Sequence, residues 1–237
     1  MRKRAFTLAE VLITLGIIGV VAALVMPSLM ANYQKKVWVA QLQKSLNTWQ
    51  NGLKLMMATD GVDNFSDTEF FKAVTNAGMG CYEIASDTPE AANILKKYFN
   101  MAKLVDEESA KLNPLSGEDS EDYYAVNFYM TDGSAGHFTF CKPSGLSALL
   151  PGGLLIDVNG KKGPSTQGRD IFSFAIDDKG NIIPQSSRQY ADLKGADFWY
   201  WKNDSVACGI PGSSDVSGVS GYGCAARIID NGWVMDY

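Results

Sequence analysis

The chain has 237 residues, 46% of them apolar, which is enough to bury the core of one domain. It carries 21 basic and 26 acidic residues. Without the basic residues at positions 2–4, 18 basic residues face 26 acidic ones, and an acidic surface repels phosphate. The composition therefore disfavours nucleic-acid binding, and we expect no nucleic-acid partner.

The N-terminal segment combines a basic start with a long apolar run. Between residues 6 and 26 the clearly polar side chains are Thr7, Glu10 and Thr14. About 21 residues at about 1.5 Å each reach about 31 Å, enough to cross a bilayer core. The positive-inside rule keeps the basic start in the cytoplasm and sends the chain after Met30 out of it. We therefore predict a single membrane span.

Glu10 is the most informative residue of this span. A charge well inside a membrane segment costs about 2.5 to 3.5 kcal/mol, so it indicates a functional cationic partner. The alternative is a side chain that snorkels near the membrane face. A secretory signal peptide fits the segment less well, because its nearest cleavage site, ending at Ala31, has Leu29 where a small residue is needed.

The residues around Glu10 resemble the class III signal of type IV pilins and type II secretion pseudopilins. A short basic leader ending in Ala5 precedes Phe6-Thr7-Leu8-Ala9-Glu10 and an apolar helix that carries Pro27. The resemblance implies that prepilin peptidase cuts between Ala5 and Phe6 and that the new amino terminus of Phe6 is methylated. It also implies that Glu10 neutralises the terminal ammonium of a neighbouring subunit during assembly. The family prefers Gly where Ala5 stands, which we interpret as slower processing.

The apolar pattern continues beyond Pro27, a residue that normally kinks a helix. Apolar residues recur every three or four positions: Trp38, Leu42, Leu46, Trp49, Leu53 and Met56. This spacing predicts an amphipathic helix to about Thr59 that stops at Asp60-Gly61, with its aromatic residues packed against a sheet. A second helix is predicted from Asp87 to Glu108, and a surface loop from Asn113 to Asp122.

Strand patterns dominate the rest of the chain. They predict strands at residues 125–130, 137–141, 154–158, 171–176 and 182–183. The predicted fold class is α+β: a long N-terminal transmembrane helix continues into an amphipathic helix packed on an antiparallel sheet, the layout of pilins. The expected parts are a leader (1–5), a transmembrane and assembly helix (6–30) and an extracytoplasmic headgroup (31–237). The headgroup divides into a helix (31–59), a variable region (60–122) and a sheet with a C-terminal loop (123–237).

The chain has four cysteines, which should be oxidised outside the cytoplasm and allow three pairings. Spacing favours Cys208 with Cys224, because closing a loop of this length stabilises by about 3 kcal/mol in a chain-entropy model. By elimination Cys81 would pair with Cys141. The alternative is four buried thiols.

A Gly-rich segment is the candidate metal site. Asp157, Asn159 and Asp170 offer the oxygen ligands that calcium prefers, and some pseudopilin headgroups carry calcium in such a loop. Lys161 and Lys162 add unfavourable positive charge. The alternative, a plain strand-turn-strand connection, is favoured.

The sequence gives little support for an enzyme. His137 is its one histidine and reads as an ordinary surface or edge residue, and we find no metalloprotease helix, phosphate loop or nucleophile elbow. The expected function is that of a structural subunit of a type IV pilus-like or pseudopilus fibre. Its expected partners are prepilin peptidase, other pilin subunits, an inner-membrane assembly platform and membrane lipid.

Two alternatives to the fibre subunit stay open. One is a minor pilin acting as an adhesin or ligand-binding tip protein through Trp199-Tyr200-Trp201 and the C-terminal loop. The other is a membrane-anchored ectodomain that never assembles. Exposure of the aromatic cluster would favour the first, because large exposed apolar patches usually mark a contact surface.

Overall fold

The computed structural model describes residues 7–75, 81–83, 89–99, 101–117, 123–141, 149–209 and 218–237. The chain divides into two compact units, Met1–Val37 and Trp38–Tyr237. The predicted cleavage site between Ala5 and Phe6 lies outside the described residues.

Helix α1 runs from Leu8 to Asp60 and stays helical through Pro27, where the sequence predicts a kink. In the first unit it is long and apolar enough to cross a membrane. Its apolar side chains, such as Leu12, Ile17 and Leu24, are exposed there. An exposed surface of this kind needs an apolar surround, either lipid or other helices.

The rest of α1 is amphipathic, as the spacing predicts. The second unit buries a stripe of this helix that contains Val39, Leu42, Ser45, Trp49, Gly52, Leu53, Met56 and Met57. Gly61 ends the helix with a φ of +67°, and the N–H of Val62 donates to the carbonyl of Met57. The predicted stop at Asp60-Gly61 is therefore confirmed.

Seven strands of the described residues form one antiparallel sheet. They are β1 (Cys81–Glu83), β2 (Met101–Lys111), β3 (Tyr123–Met130), β4 (Ala135–Cys141), β5 (Gly152–Asp157), β6 (Ile171–Ile176) and β7 (Ile182–Pro184). The order is β2-β3-β4-β5-β6-β7, and β1 pairs with β4 beyond the short stretch that β3 occupies. The predicted α+β fold class, pilin-like in its layout, is confirmed.

Five more helices complete the described residues. They are α2 (Glu69–Thr75), α3 (Pro89–Tyr98), α4 (Arg188–Lys194), α5 (Ser205–Cys208) and α6 (Cys224–Asp230). Short 3₁₀ turns lie at Phe65–Asp67, Gly160–Lys162 and Asp197–Trp199.

The predicted second helix is wrong beyond Tyr98. Residues from Met101 onward form β2, which pairs with β3 from Met101 opposite Met130 to Lys111 opposite Tyr123. The apolar residues of this stretch fit the spacing of a helix as well as that of a strand. The neighbouring strand favours the extended form, because it supplies a ladder of hydrogen bonds.

The predicted surface loop from Asn113 to Asp122 also differs where it is described. Leu115 is buried, and its N–H donates to the carbonyl of Ser220. Asn113 forms an isolated bridge with Thr166. These contacts fasten the start of the segment to the C-terminal region, and residues 118–122 lie outside the described residues.

The main core lies between α1 and the inner face of the sheet. The ring of Trp49 is centred 4.3 Å from that of Phe99, 4.8 Å from Phe128 and 4.7 Å from Phe138. A Cβ atom at Gly52 would lie 2.1 Å from the Phe99 ring, so only glycine leaves room for it. The predicted core role of Trp49 is confirmed.

Polar contacts hold α1 in place along the sheet. The Gln50 amide donates from Nε2 to the carbonyl of Gly180 (2.8 Å) and accepts at Oε1 from the N–H of Ile182 (2.9 Å). Lys44 forms an ion pair with Asp132 of the β3–β4 turn, with 2.9 Å between Nζ and Oδ2. The helix is thus anchored to two different turns of the sheet.

Candidate functional site

Glu10 lies in the first turn of α1 and closes a capping box with Thr7. Its Oε2 accepts from the backbone N–H and the hydroxyl of Thr7, both at 2.8 Å, and its own N–H donates to Thr7 Oγ1 at 3.3 Å. Such a box satisfies donors that a helix start leaves without partners, and a carboxylate there also suits the helix dipole. The Thr-x-x-Glu spacing signals this box, and our sequence reasoning missed it.

The capping box leaves the carboxylate open to a stronger partner. Glu10 and Thr7 are both exposed in the single chain, so another molecule can reach the carboxylate without unpacking the helix. A hydrogen bond between an ammonium and a carboxylate joins two charged groups and is stronger than one from a neutral donor. The Glu10 carboxylate can therefore accept from Thr7 in the single chain and exchange Thr7 for a cationic partner.

Residues 1–26 match the family model of the prokaryotic N-terminal methylation motif. The chain carries the class III signal of type IV pilins and pseudopilins. This class III signal and the exposed apolar helix together indicate a membrane anchor. The signal also supports a structural, non-enzymatic subunit of the pilin or pseudopilin kind, and it implies processing by prepilin peptidase and assembly into a pilus-like fibre.

The remaining comparisons add nothing to the class III signal. Neither the comparison with curated proteins nor that with solved structures found a match. Beyond residue 26, the sites must therefore be judged on their geometry alone.

Cys208 and Cys224 are joined by a disulfide, with their Cα atoms 4.8 Å apart and both side chains buried. Most of the loop between them, residues 210–217, lies outside the described residues. The backbone register places Cys81 of β1 opposite Cys141 of β4, at the separation that a disulfide requires. The pairing of Cys81 with Cys141 stays a prediction.

The sequence analysis missed a buried arginine beside this disulfide. The guanidinium of Arg227 in α6 is fully buried and pairs with Asp236, with 2.8 Å between Nε and Oδ1. Its Nη1 donates to the carbonyl of Cys208 at 2.7 Å, and its Cζ lies 5.0 Å from the centre of the Tyr237 ring. One cation thus joins the disulfide, α6 and the last residues, and a lone arginine in an apolar run was the signal for it.

The predicted calcium ligands make hydrogen bonds to the main chain. Asp157 Oδ1 accepts from the N–H groups of Asn159 and Gly160, at 3.1 and 2.7 Å. Asp170 is buried and accepts from those of Ser165 and Thr166, at 2.8 and 2.6 Å. Burial raises the pKa of the Asp170 carboxyl, although these bonds oppose the rise.

Within the described residues no three Asp, Glu, His or Cys side chains converge as metal ligands do. The carboxylates already have a structural role, because they hold the turn between β5 and β6. The calcium site stays a prediction, and the geometry favours the strand-turn-strand alternative.

The aromatic cluster divides into buried and exposed members. Trp201 is buried, and its Nε1 donates to Asp230 Oδ2 at 2.8 Å, as the Tyr200 hydroxyl does at 3.0 Å. Trp199 and Tyr200 are half-buried, whereas 61% of the surface of Phe198, which our sequence reasoning missed, is exposed. The exposed part of the cluster therefore lies over residues 198–200.

His137 is half-buried on β4, which has paired strands on both sides, so it is not an edge residue. Its Nε2 lies 2.8 Å from the hydroxyl of Thr139. This contact ties one nitrogen of the ring to a side chain of the same strand.

Proposed function

We propose that this chain is a structural subunit of a type IV pilus-like or type II secretion pseudopilus fibre. Prepilin peptidase removes residues 1–5, and the mature subunit polymerises through its N-terminal helix. The observation that carries the proposal is the methylation motif at residues 1–26, which includes the start of the exposed apolar helix α1 at Leu8.

Before assembly the helix is stored in the inner membrane, with its start in the cytoplasm and the headgroup on the periplasmic side. Lipid tails cover the exposed apolar residues of α1 in this state. In the fibre, neighbouring helices replace the lipid, and because both surrounds are apolar, burial alone gives little preference for either. A specific contact must therefore direct the subunit into the fibre.

Glu10 supplies this contact. In the stored subunit its carboxylate accepts from Thr7, and in the fibre it pairs with the ammonium that cleavage creates on Phe6 of a neighbour. A charge pair in an apolar surround fixes register, because any shift leaves two charges without partners. The assembly platform in the inner membrane would present the subunits to each other for this exchange.

A minor pilin with an adhesive role is the second candidate, and the exposure of Phe198 favours it. A membrane-anchored ectodomain that never assembles is distinguished from both by its failure to enter fibres. Neither alternative changes the expected processing.

Mass analysis of the protein from its native membrane tests the processing. We expect a chain that begins at Phe6 with a methylated amino terminus. A mature chain that begins at Asn32 would instead identify an ordinary secretory signal and contradict the proposal.

Glu10→Val tests the assembly step, with Thr14→Val as the matched control. Thr14 lies in the same apolar run, and its hydroxyl donates only to the carbonyl of Val11. Both variants should insert into the membrane, since each removes a polar group from it. We expect Glu10→Val to lose fibre incorporation and Thr14→Val to retain it, and normal fibre yield from Glu10→Val would assign the carboxylate another role.

A further inference from the structure

The outer face of the sheet, opposite the Trp49 core, carries a groove of about 250 Å³. Its floor consists of Thr139, Gly153 and Ala175, which are register neighbours on β4, β5 and β6. Leu150, Tyr190 and Lys194 line its sides. Known ligand pockets for drug-sized molecules start at about 300 Å³, so this groove has room for a single ring-sized group.

An aromatic ledge, formed by Phe198, Trp199 and Tyr200, continues from the groove. The ring of Tyr190 lies 6.3 Å from that of Trp199, which lies 4.8 Å from the ring of Phe198. Lys194 connects the two parts, with Nζ 5.5 Å from the centre of the Tyr190 ring and 5.7 Å from that of Trp199. Groove and ledge thus adjoin each other, with the Tyr190 and Trp199 rings meeting edge to face at 79°.

Polar contacts flank the ledge on both sides. Arg188 joins Asp192 of its own helix (2.6 Å) to Asp197 at the start of the ledge (2.8 Å). On the other side Asp230 accepts from the Tyr200 hydroxyl. The Phe198 ring itself packs on that of Trp199 at 4.8 Å, and a ring that is already restricted loses less freedom on binding.

The charges around the ledge are balanced. Three cations, Arg188, Lys194 and Lys202, and three carboxylates, Asp192, Asp197 and Asp230, lie around the ledge, and Arg188 pairs with the first two of these carboxylates. A surface without net charge complements neither a polyanion such as a nucleic acid nor a polycation. The charge balance therefore points to an uncharged ligand.

A pyranose ring has the remaining properties that this surface requires. It presents flat C–H faces that stack on aromatic rings, and its rim of hydroxyl groups hydrogen-bonds to polar groups. Polar side chains that suit this rim, Thr139, Gln185 and Lys194, line the groove beside the Tyr190 ring.

We propose that the groove and the aromatic ledge bind an uncharged carbohydrate chain. One sugar ring occupies the groove above Gly153, and the next stacks on the exposed ring of Phe198 beside Trp199. The proposal goes beyond fibre assembly and does not depend on it, since a subunit that never assembles would present the same surface.

Isothermal titration of the full chain with chitohexaose, cellohexaose and maltohexaose tests the proposal. The protein is kept in a detergent without a sugar headgroup, because such a headgroup would compete. We expect saturable binding of at least one of the three. Phe198→Ala and Trp199→Ala should each weaken it about tenfold, the effect of losing one stacked ring.

Gly153→Val tests the groove separately from the ledge. A Cβ at this glycine would meet no atom nearer than 3.9 Å, so the strand accepts the larger side chain, which then fills the floor of the groove. We expect binding to weaken as strongly as in Trp199→Ala. Leu55→Ser, which changes an apolar residue of α1 that is 57% exposed, should bind like the wild type.

Three outcomes would overturn the proposal. One is that none of the three oligosaccharides binds; another is that Phe198→Ala and Gly153→Val bind as the wild type does. Phe198→Ala alters an exposed side chain, so its result does not depend on refolding of the core. The third is that sedimentation shows self-association lost in the ledge variants while no sugar binds, which would make the ledge a protein interface.

Discussion

The two arginines of the C-terminal region show how strongly burial decides what a charged residue contributes. Arg227 is fully buried against Asp236 and the carbonyl of Cys208. Arg188 has two carboxylate partners, but its side chain is 55% exposed. Solvent screens the second set of contacts and not the first.

Replacing each arginine with methionine should therefore give very different results. We expect Arg227→Met to lower the free energy of unfolding by about 2 to 4 kcal/mol, because it leaves Asp236 and a buried carbonyl without their partner. Arg188→Met should cost less than about 1 kcal/mol. Chemical denaturation measures both, and equal losses would contradict the role given to the buried cation.

Asp132 links the stability of the headgroup to pH. Burial alone would raise the pKa of its carboxyl, but hydrogen bonds from Ser134 and Lys44 hold the pKa below its usual value of 3.8. A carboxyl with a lowered pKa stabilises the fold above its usual pKa, and this contribution disappears as the pH falls through the lowered value.

Asp132→Asn should remove this pH-dependent contribution. At neutral pH we expect the variant to be less stable by up to about 1 kcal/mol, since Lys44 is largely exposed. The difference from the wild type should shrink as the pH falls below 3.8. Urea denaturation across this range measures it, with the exposed Asp63→Asn as control, and a difference that grows in acid would refute the assignment.

At the scale of elements, Gln50 fastens α1 to the β6–β7 turn by imitating a strand. Its amide both donates to Gly180 and accepts from Ile182, as a backbone amide of a neighbouring strand would. The strand β7 has only three residues, all paired with β6, and the Gln50 amide adds a contact from α1 at the first of them, Ile182.

Gln50→Met keeps the size of the side chain and removes both hydrogen bonds. We expect a loss of about 1 to 3 kcal/mol and faster hydrogen exchange at the Ile182 amide, because two polar groups lose their partner. Asn51→Ala, on the exposed side of the same helix turn, should leave both quantities unchanged. Unchanged exchange at Ile182 in Gln50→Met would show that the turn is held by other contacts.

The elements that the sequence predicted correctly are those with a long or regular pattern. The apolar run, the three-and-four spacing up to Met56 and the strands from Tyr123 to Ile183 carry their own periodicity. Helices α4 and α5 have only seven and four residues and show no such period, although their caps, Ser187 and Asp204, were visible in the sequence. The strand β2 was missed because its partner β3, and not its local pattern, determines its form.

The candidate sites also divide into those marked by a local sequence pattern and those formed by residues far apart in the sequence. The leader and Glu10 could be recognised because the motif is contiguous in the chain. Arg227 pairs with Asp236 and also contacts Cys208, and the groove combines three strands with α4, so neither can be read from one stretch of sequence. Long-range contacts of this kind appear only when the fold brings the elements together.

At the scale of the whole molecule, the two expected disulfides stabilise different parts of the headgroup. The bond between Cys208 and Cys224 holds α5 to α6, whereas a bond between Cys81 and Cys141 would hold β1 to the central sheet. Loss of the first should loosen the C-terminal region and leave the sheet intact.

Non-reducing peptide mapping should recover the pairs Cys208–Cys224 and Cys81–Cys141. We expect the double variant Cys208→Ser, Cys224→Ser to lose about 3 kcal/mol of stability, the value for a loop of this length, while far-UV circular dichroism keeps its strand signal. The double variant Cys81→Ser, Cys141→Ser serves as comparison. Recovery of Cys141 joined to Cys208 or Cys224 would contradict both pairs.

The residues Gln50 and Gly180, which are in contact, lie 130 positions apart in the sequence. This separation determines when α1 can complete its packing during synthesis. Ribosomes deliver the apolar face of α1 early and the strands that cover it late. Trp49 gains the Phe99 ring as a partner early, but Gly180 exists only when 180 of the 237 residues have been made. Apolar surface that stays exposed until then invites aggregation. Because contacts between residues so far apart in the sequence form slowly, we expect the packing of α1 against the β6–β7 turn to be completed late in folding.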